Sequence, residues 1–196
     1  MGSVKRSRTS GIWYILTVSC CFLVGGVLGS FLGMCTGGSG AAEIDLFLHD
    51  FLTLAGTREV IWSVPAVLWH RGRWLLCCCI LGLSSLGIVF LPVLFGLRGF
   101  LLAFGASCFV QVFGAMGLIP AVLLFGIPAL LWTPGFLVCG VVCLRRSLQT
   151  VGKVEPLPVG DLRSGMCTAG LFLVLCVMFE CGLLPGLLSA AARILE

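Results

Sequence analysis

The sequence predicts an all-α integral membrane protein: a five-helix transmembrane bundle with a short third span and a proline-broken fourth, N-terminus inside and C-terminus outside. Three observations predict it. Hydrophobic residues make up 59% of the chain and charged residues 10%, where soluble domains carry about 25% charge. An apolar block runs unbroken from Trp74 to Leu144, and in its 45 central residues, Leu91 to Gly135, the polar side chains of note are one charge, Arg98, and one amide, Gln111. No soluble domain can cover every face of such a run, whereas a bilayer core of about 30 Å accepts roughly 20 apolar residues per helical pass. Finally, the runs are continuously apolar rather than alternating, which excludes a barrel. Hydrocarbon offers no water to backbone polar groups, so the spans must be helices.

Composition also narrows function. The net charge of +4 is small and sits at helix ends, so it speaks for membrane orientation and against nucleic-acid binding. Of the 12 cysteines, ten fall in apolar spans, where Cys behaves as a small hydrophobe. Cys35 and Cys167 lie near an interface, and His49 and His70 are the only imidazoles. Ligand-type spacing in a loop is absent, so neither a metal site nor a cofactor is predicted.

Residues 1–10 form a basic cytoplasmic N-terminus with Lys5, Arg6 and Arg8. The first span covers 11–34; at 24 residues it exceeds the ~7–15 of a signal-peptide apolar region, so it reads as a retained helix. Gly25, Gly29 and Gly33 put a small-residue ridge on one face of it. Such a ridge serves packing within the chain or, alternatively, a homodimer face. Residues 35–73 form an extracytoplasmic loop. In it Ile44, Phe47, Leu48, Phe51, Leu52 and Leu54 make an apolar stripe at helical spacing, opposite Glu43, Asp45, His49 and Asp50. A second amphipathic stretch runs from Arg58 to Trp69, and Trp62, Trp69 and Trp74 serve as interfacial anchors. Both stretches suit the headgroup zone, where they serve either packing at the interface or the docking of an extracytoplasmic partner.

The second span is 74–96, with Ser84-Ser85 in mid-helix. The third, 100–116, is at the short limit for crossing, with re-entry as the alternative. The fourth, 118–144, carries Pro120, Pro128 and Pro134, each of which disrupts a helix. A cytoplasmic loop, 145–165, leads to the fifth span, 166–188, and to an extracytoplasmic tail, 189–196. With five passes and the N-terminus inside, Lys5, Arg6, Arg8, Arg98, Arg145, Arg146, Lys153 and Arg163 lie inside. Arg58, Arg71, Arg73 and Arg193 lie outside, and the resulting 8:4 bias satisfies the positive-inside rule.

No nucleophile elbow, phosphate loop or zinc-protease motif occurs, so no catalytic residue is assigned and enzyme activity is not predicted. Three intramembrane polar residues stand out. Glu180 is an isolated carboxylate in a span, which marks an ion pathway or helix pairing unless it reaches water at the outer interface. Arg98 is expected to snorkel to headgroups at the inner interface. Gln111 is expected to bond across helices.

The stretch from Ile80 to Val138 resembles the core of the stage II sporulation protein M family. The features that carry the resemblance are Leu91-Pro92 closing a span, Arg98-Gly99-Phe100 opening a glycine-rich run, Phe113-Gly114 at a turn, and a proline-broken helix after it. A glycine-rich end to the first helix and the acidic-aromatic segment from Glu43 to Phe51 extend it over 11–188. One departure is that Ala129-Leu130 follows Pro128, where many members place a Gln-Asn pair. The resemblance implies a non-enzymatic component of the engulfment machinery at the sporulation septum of an endospore-forming bacterium. It also implies two partners, the peptidoglycan-degrading stage II sporulation proteins D and P. Glu43, Asp45, Phe47, His49, Asp50 and Phe51 are the candidate docking residues. The alternative from another class is a small transporter or channel subunit that uses the proline-broken span and Glu180.

Overall fold

The computed structural model describes the backbone of residues 2–35, 39–56, 63–152 and 159–195, and the side chains of 12–35, 42–51, 53–54, 63–152 and 160–190. The side chains of Lys5, Arg6, Arg8, Arg58, Trp62, Lys153 and Arg193 lie outside the described residues. Among those described, every regular element is helical: α1 (Gly2–Cys35), α2 (Ser39–Gly56), α3 (Val64–Leu83), α4 (Gly87–Phe113), α5 (Leu118–Ala121), α6 (Ile127–Thr150), α7 (Val159–Gly182) and α8 (Leu184–Leu195). Four stretches are long and apolar enough to cross a membrane: Ile12–Cys35, Val64–Leu83, Gly87–Thr150 and Gly160–Gly182. Leu130 and Val27 are 76% and 70% exposed. Such outward-facing apolar side chains are at home in lipid and costly in water.

Three boundaries differ from those expected. The helix expected to run unbroken over 74–96 instead starts at Val64 and stops at Leu83. Ser84 is extended there (φ −108°, ψ 151°), its hydroxyl accepts from Leu86 N–H at 3.3 Å, and its carbonyl accepts from Ser147 Oγ at 2.6 Å. Serine hydroxyls compete with the helical ladder, and this pair ends it. The run expected over 100–116 belongs to α4 as far as Phe113, and the 27 residues of that helix extend about 40 Å, so it is not short. Pro185 lies just beyond a break at Leu183, and residues 189–195 of the expected tail belong to a helix, α8.

At Gly114 (φ +60°) the chain leaves α4 through a 3₁₀ turn, Gly114–Gly117. Residues 118–150 then continue as α5, a π turn (Val122–Gly126) and α6. The prolines therefore widen this element without breaking it. Pro128 brings no N–H to the ladder, and a five-residue turn accommodates the loss.

Glycines set the register. A Cβ on Gly25 would strike the carbonyl of Gly96, one on Gly29 that of Phe100, and one on Gly33 would lie 2.7 Å from Ser107 Cβ. The ridge therefore packs α1 parallel to α4, and Ser30 Oγ and Ser107 Oγ close its upper end at 3.0 Å. Gly82 meets Cys143, and just past the end of α3 the Ser84 carbonyl accepts from Ser147 Oγ, which places α3 parallel to α6. Gly135 against Phe172 and Gly165 against Val142 make α6 and α7 antiparallel. The main core lies where α1, α3, α4, α6 and α7 converge, around Phe95, Trp132, Phe136 and Cys176. A smaller cluster of Leu48, Cys108, Phe109 and Ala121 seats α2 on the turn side of the bundle.

Candidate functional site

Among the described residues, the buried charged groups, Arg71, Arg98 and Glu180, are gathered in one region of the bundle. Arg71, two turns into α3, donates from Nη2 to Glu180 Oε1 near the end of α7. Both are buried, at 8% and 4% exposure. One turn earlier on α7, the Cys176 thiol faces the same carboxylate oxygen at 3.5 Å, with the Pro128 carbonyl oxygen as a second acceptor at 3.7 Å. Deeper in the core, the Arg98 guanidinium lies between two indoles, 5.2 Å from the Trp74 ring centre and 5.0 Å from that of Trp132. Trp132 stacks on Phe136 at 4.2 Å, and Phe136 on Phe95 at 4.1 Å.

Arg98 is thus not at the inner interface. It lies inside α4, 5% exposed, because α4 runs through the point where a loop was expected. Glu180 does not reach water either. Its partner Arg71 was expected in the extracytoplasmic loop, but α3 begins seven residues before it. Together the site holds two guanidiniums and one carboxylate, a net charge of about +1 in an apolar core. Arg71 Nε, Arg98 Nε, Trp74 Nε1 and Trp132 Nε1 are buried with no hydrogen-bond partner among the described residues. Unmade bonds of this kind cost about 1–3 kcal/mol each. Chemically, the arrangement ties α3 to α7 through the ion pair and holds α4 between Trp74 of α3 and Trp132 of α6.

The expected docking residues lie on α2. Leu48 is buried and Phe51 half-buried against the bundle, whereas Glu43, Asp45, Phe47, His49 and Asp50 are exposed. Asp45 and His49 pair along the helix at 3.7 Å, and the His49 ring rests 4.7 Å from that of Phe113. Gln111 borders a mostly apolar groove of about 490 Å³ lined from α1, α4, α5 and the π turn, with Ser30, Met34 and Val122 among its walls. It also borders a smaller pocket with Ala42, Ile44 and Asp45.

Sequence reasoning missed Arg71, Trp132 and Cys176. The available signal was Glu180 itself, since a carboxylate in a span demands a cation at the same depth.

Fold and site define a class: an all-helical protein of membrane type, with a charged clip buried among its helices. Compared with known protein families, characterised proteins and solved structures, the chain matches none.

Proposed function

We propose that this chain is a non-enzymatic membrane scaffold of the stage II sporulation protein M kind. In this reading it sits in the plasma membrane at the sporulation septum of an endospore-forming bacterium. There it recruits the peptidoglycan-degrading stage II sporulation proteins D and P on the outer side, for septum thinning and membrane migration around the forespore. The observation that carries the reading is α2. This amphipathic helix is held to the bundle through Leu48 and Phe51 while it presents Glu43, Phe47 and Asp50 outward. Those exposed groups combine an aromatic anchor with acidic neighbours, a composition suited to a basic-rimmed protein surface.

Five passes with the N-terminus inside fit the alternating directions of α1, α3, α4, α5–α6 and α7. With Arg98 and Arg71 inside the bundle, the inner basic residues are Lys5, Arg6, Arg8, Arg145, Arg146, Lys153 and Arg163, against Arg58, Arg73 and Arg193 outside. That bias keeps its sign. The Arg71–Glu180 clip favours a fixed bundle over a titrating ion path. The test is affinity purification from sporulating cells: cell-wall hydrolases are expected to come with the wild type and to be lost from a Phe47→Asp/Asp50→Lys variant. Their absence from the wild-type eluate sinks the reading. A transporter or channel subunit is the second reading, favoured by the π turn beside the 490 Å³ groove. Solute flux in vesicles that is abolished by Val122→Trp would favour it over the scaffold.

A further inference from the structure

Three thiols that are scattered in sequence converge in the core. Cys79 on α3 and Cys139 and Cys143 on α6 have their sulfurs all within 4.8 Å of one another, with Cys139 and Cys143 3.9 Å apart. The fold builds this meeting. Cys139 and Cys143 are one helical turn apart and share a face. Gly82, three residues after Cys79, presses α3 onto α6 so closely that a Cβ there would lie 2.6 Å from Cys143 Cβ. Ser147 Oγ fastens the same helix pair one turn further on, at the Ser84 carbonyl.

We infer that Cys79, Cys139 and Cys143 form a binding site for a soft, thiophilic metal cation, of which Cu(I) is the type ion. A metal–sulfur bond of about 2.3 Å gives sulfurs about 4.0 Å apart in a trigonal-planar site. That spacing lies close to the 3.9 Å between Cys139 and Cys143 and within the 4.8 Å limit for the set. Thiolate ligands select Cu(I) over the hard cations. Three sulfurs complete its preferred shell, whereas a structural zinc site asks for a fourth ligand. Binding displaces thiol protons to solvent and leaves sulfur and copper oxidation states unchanged. The charge sits in the same bundle as the clip with its net positive excess. Loop-type ligand spacing never appears, because the ligands come from helices about 60 residues apart.

The probe is Cu(I) itself, kept reduced under anaerobic conditions and added to the full-length, detergent-solubilised chain in the presence of a competing Cu(I) chelator. One copper per chain is expected after gel filtration, with X-ray absorption showing three sulfur neighbours. Cys79→Ser and Cys143→Ser should each lower retention at least tenfold, while Cys20→Ser and Cys167→Ser leave it unchanged. A gel-filtration profile confirms that each variant is folded. The wild-type absorption spectrum stands without any variant: a shell of nitrogen or oxygen neighbours, or fewer than three sulfurs, overturns the site. So does wild-type retention no greater than that of the Cys79→Ser/Cys139→Ser/Cys143→Ser chain, or a disulfide among these three cysteines in freshly isolated protein.

Discussion

Removing Glu180 should cost more than removing Arg71, although the two share one bond. Glu180 is the one carboxylate in the buried cluster, and it faces Arg71 directly with Arg98 deeper in the same core. Glu180→Gln leaves two buried guanidiniums with no counter-charge. Arg71→Met leaves a carboxylate that still has Arg98 in its field. Breaking a buried pair from one side costs about 3–5 kcal/mol, so the glutamate change belongs at the upper end and the arginine change at the lower. The double variant removes both the charge and its partner, and should lose less than the two singles together, with a coupling of at least about 2 kcal/mol. The assay is reversible unfolding of the detergent-solubilised protein by titration with dodecyl sulfate, followed by tryptophan fluorescence. Trp74 and Trp132 border the cluster and report on it directly. Losses that add within about 0.5 kcal/mol would show that the residues act independently, and the clip would be refuted. A wild-type-like Glu180→Gln would refute it as well. One consequence is that loss of function in Glu180→Gln does not by itself indicate an ion path, because the bundle is weakened in any case.

Other perturbations separate packing from function. Arg98→Met removes a buried cation and leaves a balanced Arg71–Glu180 pair, so stability should hold within about 1 kcal/mol or rise; a large fall in the same titration would contradict this. Arg98→Lys keeps the charge but loses the planar stack between two indoles, and should melt earlier, by about 1–2 kcal/mol in the unfolding titration. Gly29→Val drives a side chain into the α4 backbone and should abolish accumulation of folded protein in membranes, whereas Gly26→Ala, whose Cβ meets nothing nearer than 3.9 Å, should accumulate normally. On α2, Leu48→Ala should destabilise by about 2–3 kcal/mol. Phe47→Asp should leave stability within about 0.5 kcal/mol and be visible only as lost co-purification of partners.

Helical class was legible because apolar continuity is a property of composition and needs no contact information. The glycines at 25, 29 and 33 were legible as a ridge, but not the surface they meet: Gly96 and Phe100 are about 70 residues further on. The break at Ser84 was hidden by the apolar residues on either side, since hydropathy does not register a turn that serines make with their own backbone. That one displacement had a large effect. Starting the helix at Trp74 made Arg71 a loop residue and turned Arg98 into a boundary, so the partner of Glu180, 109 residues away, could not be matched to it. The cysteines at 79, 139 and 143 gave no signal for the same reason, since their relation depends on which face of α3 meets α6.

The parallel packing of α1 on α4 also has a consequence in time. Gly25 emerges from the ribosome about 70 residues ahead of Gly96. At synthesis rates of ~5–20 residues per second, the interval is on the order of 4–14 s. For that interval the first helix stands in the bilayer with its smallest, most approachable face turned to whatever is nearby. A neighbouring nascent chain carries the same face at the same stage, so crowded synthesis invites the wrong pairing. Completion of α4 is then expected to displace any such encounter, because the chain's own helix is covalently tethered and fits the same glycine ridge.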